Sequence, residues 1–286
     1  MVTYAYGAAG ISDDPYNVIS GRVKNVSKQL LIYQDVVPLS AERHRDWSVK
    51  LDGHFRFASA INSVPLLVAE FAAAAGDLPI IFAGEGKNTV PAALLGFAPD
   101  ENLLVDAEGV WRDGYVPAFL RRYPFVFTES EDRSTLTLCI DEAFEGINSD
   151  GIGERLFDTQ GNRTQFLEST LGFVSQYQAQ FNRTRAFCER LSRLGLLKPA
   201  QARRSTEAGE SVTVGGFSIV DREKLKAIPD TDLRAMLDTD ELEMLFLHLH
   251  SLSNVQRIAR AAPAPVADTP GIEALDAALE ESVADS

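Results

Sequence analysis

Aromatic rings and guanidinium groups crowd one stretch of the chain, Trp111-Arg-Asp-Gly-Tyr115-Val-Pro117-Ala-Phe119-Leu-Arg121-Arg122-Tyr123-Pro124-Phe125. A guanidinium fork matches the two oxygens of a carboxylate or the oxygens of a phosphate. Aromatic faces stack on flat ligands or on cations. Arg121 and Arg122 therefore read as a clamp for an anionic small molecule, with Trp111, Tyr115 and Tyr123 as the walls of its groove. The same residues have a second reading, in which Trp111, Phe119, Tyr123 and Phe125 build the core and the arginines pair with local acids such as Asp113. Adjacent residues point in different directions on a helix, so at most one of the two arginines faces any single ligand.

Other residue types capable of chemistry stand in less productive patterns. His248 and His250 are two apart, whereas a helical metal pair needs a spacing of four, and His44 and His54 have no ligand spacing either. No metal site follows. The glycine-rich nucleotide loops and the nucleophile elbow have no match, so no cofactor is expected and the expectation leans away from an enzyme. Cys139 and Cys188 lie among apolar neighbours and read as buried free thiols. The acids at Asp141-Glu142 and around Asp238, Asp240 and Glu241 read as solvated caps or turns.

Charge is unevenly distributed. The net charge is −14, and residues 263–286 hold six acids with no Lys or Arg. Between 163 and 204, by contrast, eight basic side chains stand against two acids, and Arg183, Arg185, Arg190 and Arg193 fall along one predicted helix. These four form a candidate surface for an acidic partner. One such partner is the chain's own tail, in which Ile272, Leu275, Leu279 and Val283 recur at helical spacing. The bland alternative is a solvated helix face beside a disordered tail. An acidic body repels nucleic acid, so no nucleic-acid partner is expected.

The elements that must position these groups follow from periodicity and breakers. Residues 1–34 read as irregular. Residues 54–58 predict a short strand, and residues 65–75 predict a helix with Leu67, Phe71 and Ala74 on one face. Further strands are predicted at 78–83, 90–97 and 102–106, and a hairpin at 124–128 and 134–140. One or two helical turns are expected over 116–122 with Pro117 near the first position. A glycine- and aspartate-rich connection at 142–163 leads into the best helix, 164–194, capped by Asn162 or Thr164 and stopped by Gly195. Residues 211–220 predict a strand paired with 203–207, followed by helices from Asp221 and Asp230. A last helix spans 240–262, with Leu242, Leu245, Phe246, Leu249, Leu252, Val255 and Ile258 inward. The fold class is α+β, an antiparallel sheet from 78–140 with a long helix and C-terminal helices packed against it. The organisation is a body at 35–262, with possible lobes at 35–160 and 161–262, and an acidic, disordered tail at 263–286.

The 111–125 motif resembles the SapC family of proteobacterial proteins. Three further sets of segments carry the likeness. They are Val37-Pro-Leu-Ser-Ala-Glu-Arg-His44, then Val64-Pro-Leu-Leu-Val-Ala-Glu-Phe71 with Leu78-Pro-Ile-Ile-Phe-Ala83, then Phe181-Asn-Arg-Thr-Arg-Ala-Phe187 with Gly216-Phe-Ser-Ile-Val-Asp-Arg-Glu-Lys224. The resemblance covers about residues 35–262. It implies an accessory role near surface-layer or outer-membrane receptor systems, since the family name comes from surface-layer-associated proteins and members often lie beside outer-membrane receptor and halogenase-like genes. A peptide-transporter-permease label carried by some members does not fit, because the most apolar window, 64–75, is short and contains Glu70. The expected function is thus a non-catalytic accessory or binding protein, with an enzyme or small-molecule binder built on the aromatic and arginine groove as the alternative. Without a leader or span in view, the expected location is cytoplasmic, and a surface location needs a route independent of a signal peptide. Pro263 and Pro265 end the apolar periodicity, so deleting residues 263–286 is expected to leave the melting temperature within about 2 °C. A larger drop on calorimetry refutes this.

Overall fold

The structure, a computed structural model, describes residues 3–5, 31–129, 135–205 and 211–261. Its first half comprises β1 (Thr3–Ala5), β2 (Val36–Pro38), α1 (Ala41–His44), β3 (Ser48–Val49), β4 (Ser63–Pro65), α2 (Phe71–Ala74), β5 (Ile80–Ala83), β6 (Val90–Leu94), α3 (Ala118–Arg121), β7 (Phe125–Glu129) and β8 (Thr135–Asp141). Then follow β9 (Ile147–Asn148), β10 (Glu154–Arg155), α4 (Gln165–Arg193), β11 (Leu197–Ser205), β12 (Ser211–Val220), α5 (Arg222–Lys226), α6 (Asp230–Asp238), α7 (Glu241–Ser251) and α8 (Asn254–Ala261). The class is α+β, with antiparallel sheets, one long helix and helices at the C-terminal end.

The strands predicted between 78 and 140 divide between two sheets. The larger is five-stranded, in the order β11-β12-β5-β6-β4, and takes strands from both sides of residue 160. Both faces of its strands β5 and β6 are covered, which explains the unbroken apolar runs there. Ile80, Phe82 and Ala93 face a core shared with Phe71, Phe187, Leu191 and Leu245. Ile81, Ala92 and Leu94 face the other way, onto Phe217 and Ile258 of α8. In the second sheet the predicted hairpin β7–β8 forms in register Phe125↔Ile140 and Phe127↔Leu138, and β1 and β2 lie along the far edge of β8. A small third sheet, β10-β3-β9, occupies part of the predicted 142–163 connection.

Helix α4 joins the two large sheets. Its 29 residues span about 43 Å at 1.5 Å each. Leu167, Leu171 and Val174 pack on Phe125, Phe127, Leu138 and Ile140, while Tyr177, Phe187, Cys188 and Leu191 enter the main core. Thr164 is the N-cap, accepting from the Leu167 amide, and Gly195 takes the left-handed stop at φ 62°.

The C-terminal helices are fastened to β5 by polar side chains spaced three apart. His248 is fully buried; its Nδ1–H donates to the Ile80 carbonyl at 2.9 Å and its Nε2 accepts from the Val220 amide at 3.1 Å. Ser251 Oγ accepts from the Ile80 amide at 2.9 Å, and Asn254 Nδ2 donates to the Ala75 carbonyl at 2.8 Å.

Several predicted elements form differently. Residues 54–58 make a 3₁₀ turn at Arg56–Ala58, with His54 in an isolated bridge to Val110. The predicted 65–75 helix is broken, because Pro65 is claimed by β4 and Leu67 is extended before a 3₁₀ turn at Val68–Glu70 and then α2. Its three apolar residues are nonetheless buried as expected. Residues 102–106 form no strand, only a bridge between Val105 and Trp111. The predicted last helix divides at Leu252 and Ser253, and Phe246 points outward at 53% exposure while His248 takes the inward position. Strand β11 is longer than predicted and pairs with β12 along its length, with a register shift between Ala200 and Ala202. The acidic tail and most of 1–34 lie outside the described residues.

Burial holds the His248 pKa down at about 4, against its ordinary 6.5. Between these pH values the unfolded chain binds a proton that the folded chain refuses, so stability is lost as pH falls through this window, at up to about 1.4 kcal/mol per unit. His248→Gln keeps a donor and an acceptor but removes the titration. The stability gap between wild type and variant in urea unfolding is therefore expected to shrink by about 2 kcal/mol between pH 7 and pH 5. A constant gap would show that His248 does not titrate this way.

Candidate functional site

Glu70 stands at the centre of the aromatic and arginine segment. It ends the 3₁₀ turn, is 6% exposed, and accepts three hydrogen bonds. Oε2 accepts from the Leu67 amide at 2.9 Å, and Oε1 accepts from the Ala118 amide at 2.7 Å and the Tyr115 hydroxyl at 2.8 Å. Burial pushes its carboxyl pKa up, and those donors together with the Arg121 charge pull it back. Nearby, Asp77 Oδ2 accepts from the Tyr115 amide at 2.8 Å. This approach needs Gly114, whose φ is +83° and where a Cβ would stand 2.6 Å from Asp77 Cγ. Arg257 of α8 closes the outside by donating to Asp77 and Asp113 at 2.7 and 3.2 Å.

The five predicted ligand residues separate by burial. Trp111 is in the core, edge-on to Phe55 at 5.7 Å. Tyr123 is also core; its hydroxyl donates to Asp141 at 3.1 Å, and its ring contacts Tyr33, Phe57 and Phe144. Asp141 is fully buried and also accepts from the amides of Gln34, Asp35 and Ala143. Arg122 is only 3% exposed, its guanidinium 4.4 Å from the Tyr177 ring, 4.7 Å from Phe119 and 5.8 Å from Tyr33. Burial raises the Tyr33 pKa to about 12, with the Arg122 charge opposing the rise.

Tyr115 and Arg121 occupy the surface. Arg121 is exposed, with its guanidinium 5.6 Å from the Tyr115 ring and 5.3 Å from the Phe173 ring. Its Nε donates to the Val116 carbonyl at 3.0 Å and its Nη2 donates to the Tyr115 hydroxyl at 3.1 Å. Burial first and then Glu70 raise the Tyr115 pKa to about 12, so its phenol stays protonated and donates to the carboxylate. Arg121 lines an open cleft of about 250 Å³, together with Leu51, Tyr123, Phe125, Phe166 and Phe173 and the polar Arg122, Ser169 and Thr170. The structure thus brings Arg121, Arg122 and Tyr123 to one cleft, with Tyr115 behind the guanidinium and Trp111 elsewhere in the core.

The other predicted arginines serve α4. Arg190 Nε lies 3.2 Å from Glu241 of α7, Arg193 lies 3.3 Å from Asp232 of α6, and Arg185 pairs weakly with Glu189 at 3.7 Å. Arg183 is exposed, and the predicted tail partner lies outside the described residues. Burial pushes the thiol pKa of Cys188 and of Cys139 upward, so neither is poised as a nucleophile. Among the described residues no cluster of His, Cys, Asp and Glu is placed to hold a metal ion, and no helix is long and apolar enough to cross a membrane.

Sequence reasoning missed Glu70, Phe166 and Phe173, and it read Asp141 as a solvated cap or turn, whereas three amides and the Tyr123 hydroxyl satisfy its carboxylate and allow it to be fully buried. Glu70 had a signal, because it is the sole charge in an apolar window, and such an acid is buried only with donors around it. The two phenylalanines reach the cleft only because α4 crosses β7. Residues 39–258 match the family model described as SapC. No curated protein and no solved structure matches the chain.

These placements set an order of stability losses in urea unfolding. Arg122→Ala empties an aromatic cage and is expected to cost about 3 kcal/mol. Glu70→Gln leaves one buried donor facing an amide and costs about 2 kcal/mol. Arg121→Ala costs below about 1 kcal/mol. Equal losses for the two arginines would overturn the assignment of one to the core and the other to the surface.

Proposed function

The chain belongs to the SapC family, and we propose that it acts there as a non-catalytic binding protein, an accessory to a surface-layer or outer-membrane receptor system, with its ligand face at the Arg121 cleft. Support comes chiefly from one contrast. Arg121 is presented to solvent at the mouth of an aromatic-walled cleft, while Glu70, Asp141, His248 and the two cysteines are buried and committed elsewhere. Glu70 and Asp141 are occupied by amides and tyrosines, His248 by two backbone groups, and the cysteines are held as thiols. A group so placed is shut away from solvent and already engaged, which leaves it poorly placed to exchange a proton with a substrate or attack one. The arginines of α4 contribute less to this reading, since Arg190 and Arg193 are engaged by the chain's own helices.

Incubating the full chain with a small-molecule extract of its host separates binding from turnover. The expected result is depletion of an anionic compound up to one equivalent per chain, with the compound recovered unchanged after the protein is denatured. Loss beyond one equivalent with a new product would establish an enzyme. No depletion at all would remove the small-molecule basis of the proposal.

A further inference from the structure

Building on this binding role, we propose that the Arg121 cleft takes a small aromatic monocarboxylate, its carboxylate on the guanidinium and its ring between Phe166 and Phe173. Size comes first. The cleft holds about 250 Å³, which at roughly 30 Å³ per water corresponds to about eight waters, or a ligand of roughly ten heavy atoms. That is below the usual range for large cofactors and suits a single ring with a short chain.

Charge sets the head group. A guanidinium has five N–H donors, and Arg121 uses its Nε and one Nη2 donor on Val116 and Tyr115. Both Nη1 donors and the second Nη2 donor are left over, enough for a two-pronged grip on a carboxylate. The stack between Tyr115 and Phe173 and those two hydrogen bonds hold the fork in place, so little rotamer entropy is lost on binding. A phosphate dianion suits the cleft less well. Arg122, the other guanidinium lining it, is only 3% exposed and caged by rings, and the Glu70 carboxylate sits one hydrogen bond behind Tyr115. One exposed positive charge with a negative charge close behind it favours a monoanion.

The walls set the body. Tyr123 and Phe125 form a buried floor, Phe166 and Phe173 are half-buried flanks, and Leu51, 54% exposed, stands at the mouth. Rings line most of the apolar surface, and rings pack best against another ring at an offset or an edge. Ser169 and Thr170, one turn of α4 before Phe173, are the uncharged polar members of the lining.

Isothermal titration of the full chain with four probes tests this. They are 3-phenylpropionate, its neutral amide, octanoate and phenyl phosphate. The expected result is that 3-phenylpropionate binds at least tenfold tighter than each of the others, and that Arg121→Gln removes this preference over the amide. Phe173→Leu, which removes the ring flank and one face of the Arg121 stack but keeps the arginine's hydrogen bonds to Val116 and Tyr115, is expected to weaken the aromatic acid several-fold and octanoate much less, with the chain still folded by circular dichroism. The proposal falls if the amide binds as well as the acid, if octanoate matches it, if phenyl phosphate is preferred, or if no probe binds. A different host anion retained through Arg121 would overturn the ligand class and leave the binding role standing. Chemical conversion of 3-phenylpropionate would do the reverse.

Discussion

The buried carboxylate of Glu70 is the constraint on which the surrounding architecture depends. An acid at 6% exposure is tolerated only if its oxygens are satisfied, and here two backbone amides and a phenol satisfy them. The Ala118 amide lies 48 residues from Glu70 in sequence, so one side chain fixes the turn before α2 against the start of α3. Helix α3 has only four residues and could not hold itself in place by propensity alone. Its orientation, and with it the divergence of Arg121 from Arg122, follows from that tether.

Two arginines side by side on one turn acquire opposite roles through helical geometry. Successive residues point about 100° apart, so the turn that sends Arg122 into the core sends its neighbour to the surface. A buried guanidinium needs its charge offset, and three aromatic faces around Arg122 provide part of that. The surface arginine is held by the same phenol that donates to Glu70, so the tether in the core also orients the fork at the cleft. Core and cleft are therefore one hydrogen-bonded unit.

Helix α4 supplies the other half of the cleft. Its first half lies on the β7–β8 sheet and its second half on the five-stranded sheet, so Phe166, Ser169, Thr170 and Phe173 are carried over the face that β7 and α3 present. The C-terminal helices complete the enclosure by a different means. His248, Ser251 and Asn254 bond to backbone at and just before β5, and the neutral imidazole avoids burying a charge.

The sequence alone determined what local periodicity encodes. The long helix with its Thr164 cap and Gly195 stop, the β7–β8 hairpin, the turn at Pro117 and the α+β class were all legible, because apolar spacing and breakers act within a few residues. The aromatic and arginine segment was legible too, but not which of its members would be core and which surface. That was decided by contacts distant in the chain. Residues 65–75 lost their continuous helix to pairing with β6, Phe246 yielded the inward place to a histidine with two backbone partners, and the cleft took its walls from α3, β7 and α4 at once. Burial of a polar group depends on donors elsewhere in the chain, and periodicity within one segment cannot report where those donors arrive.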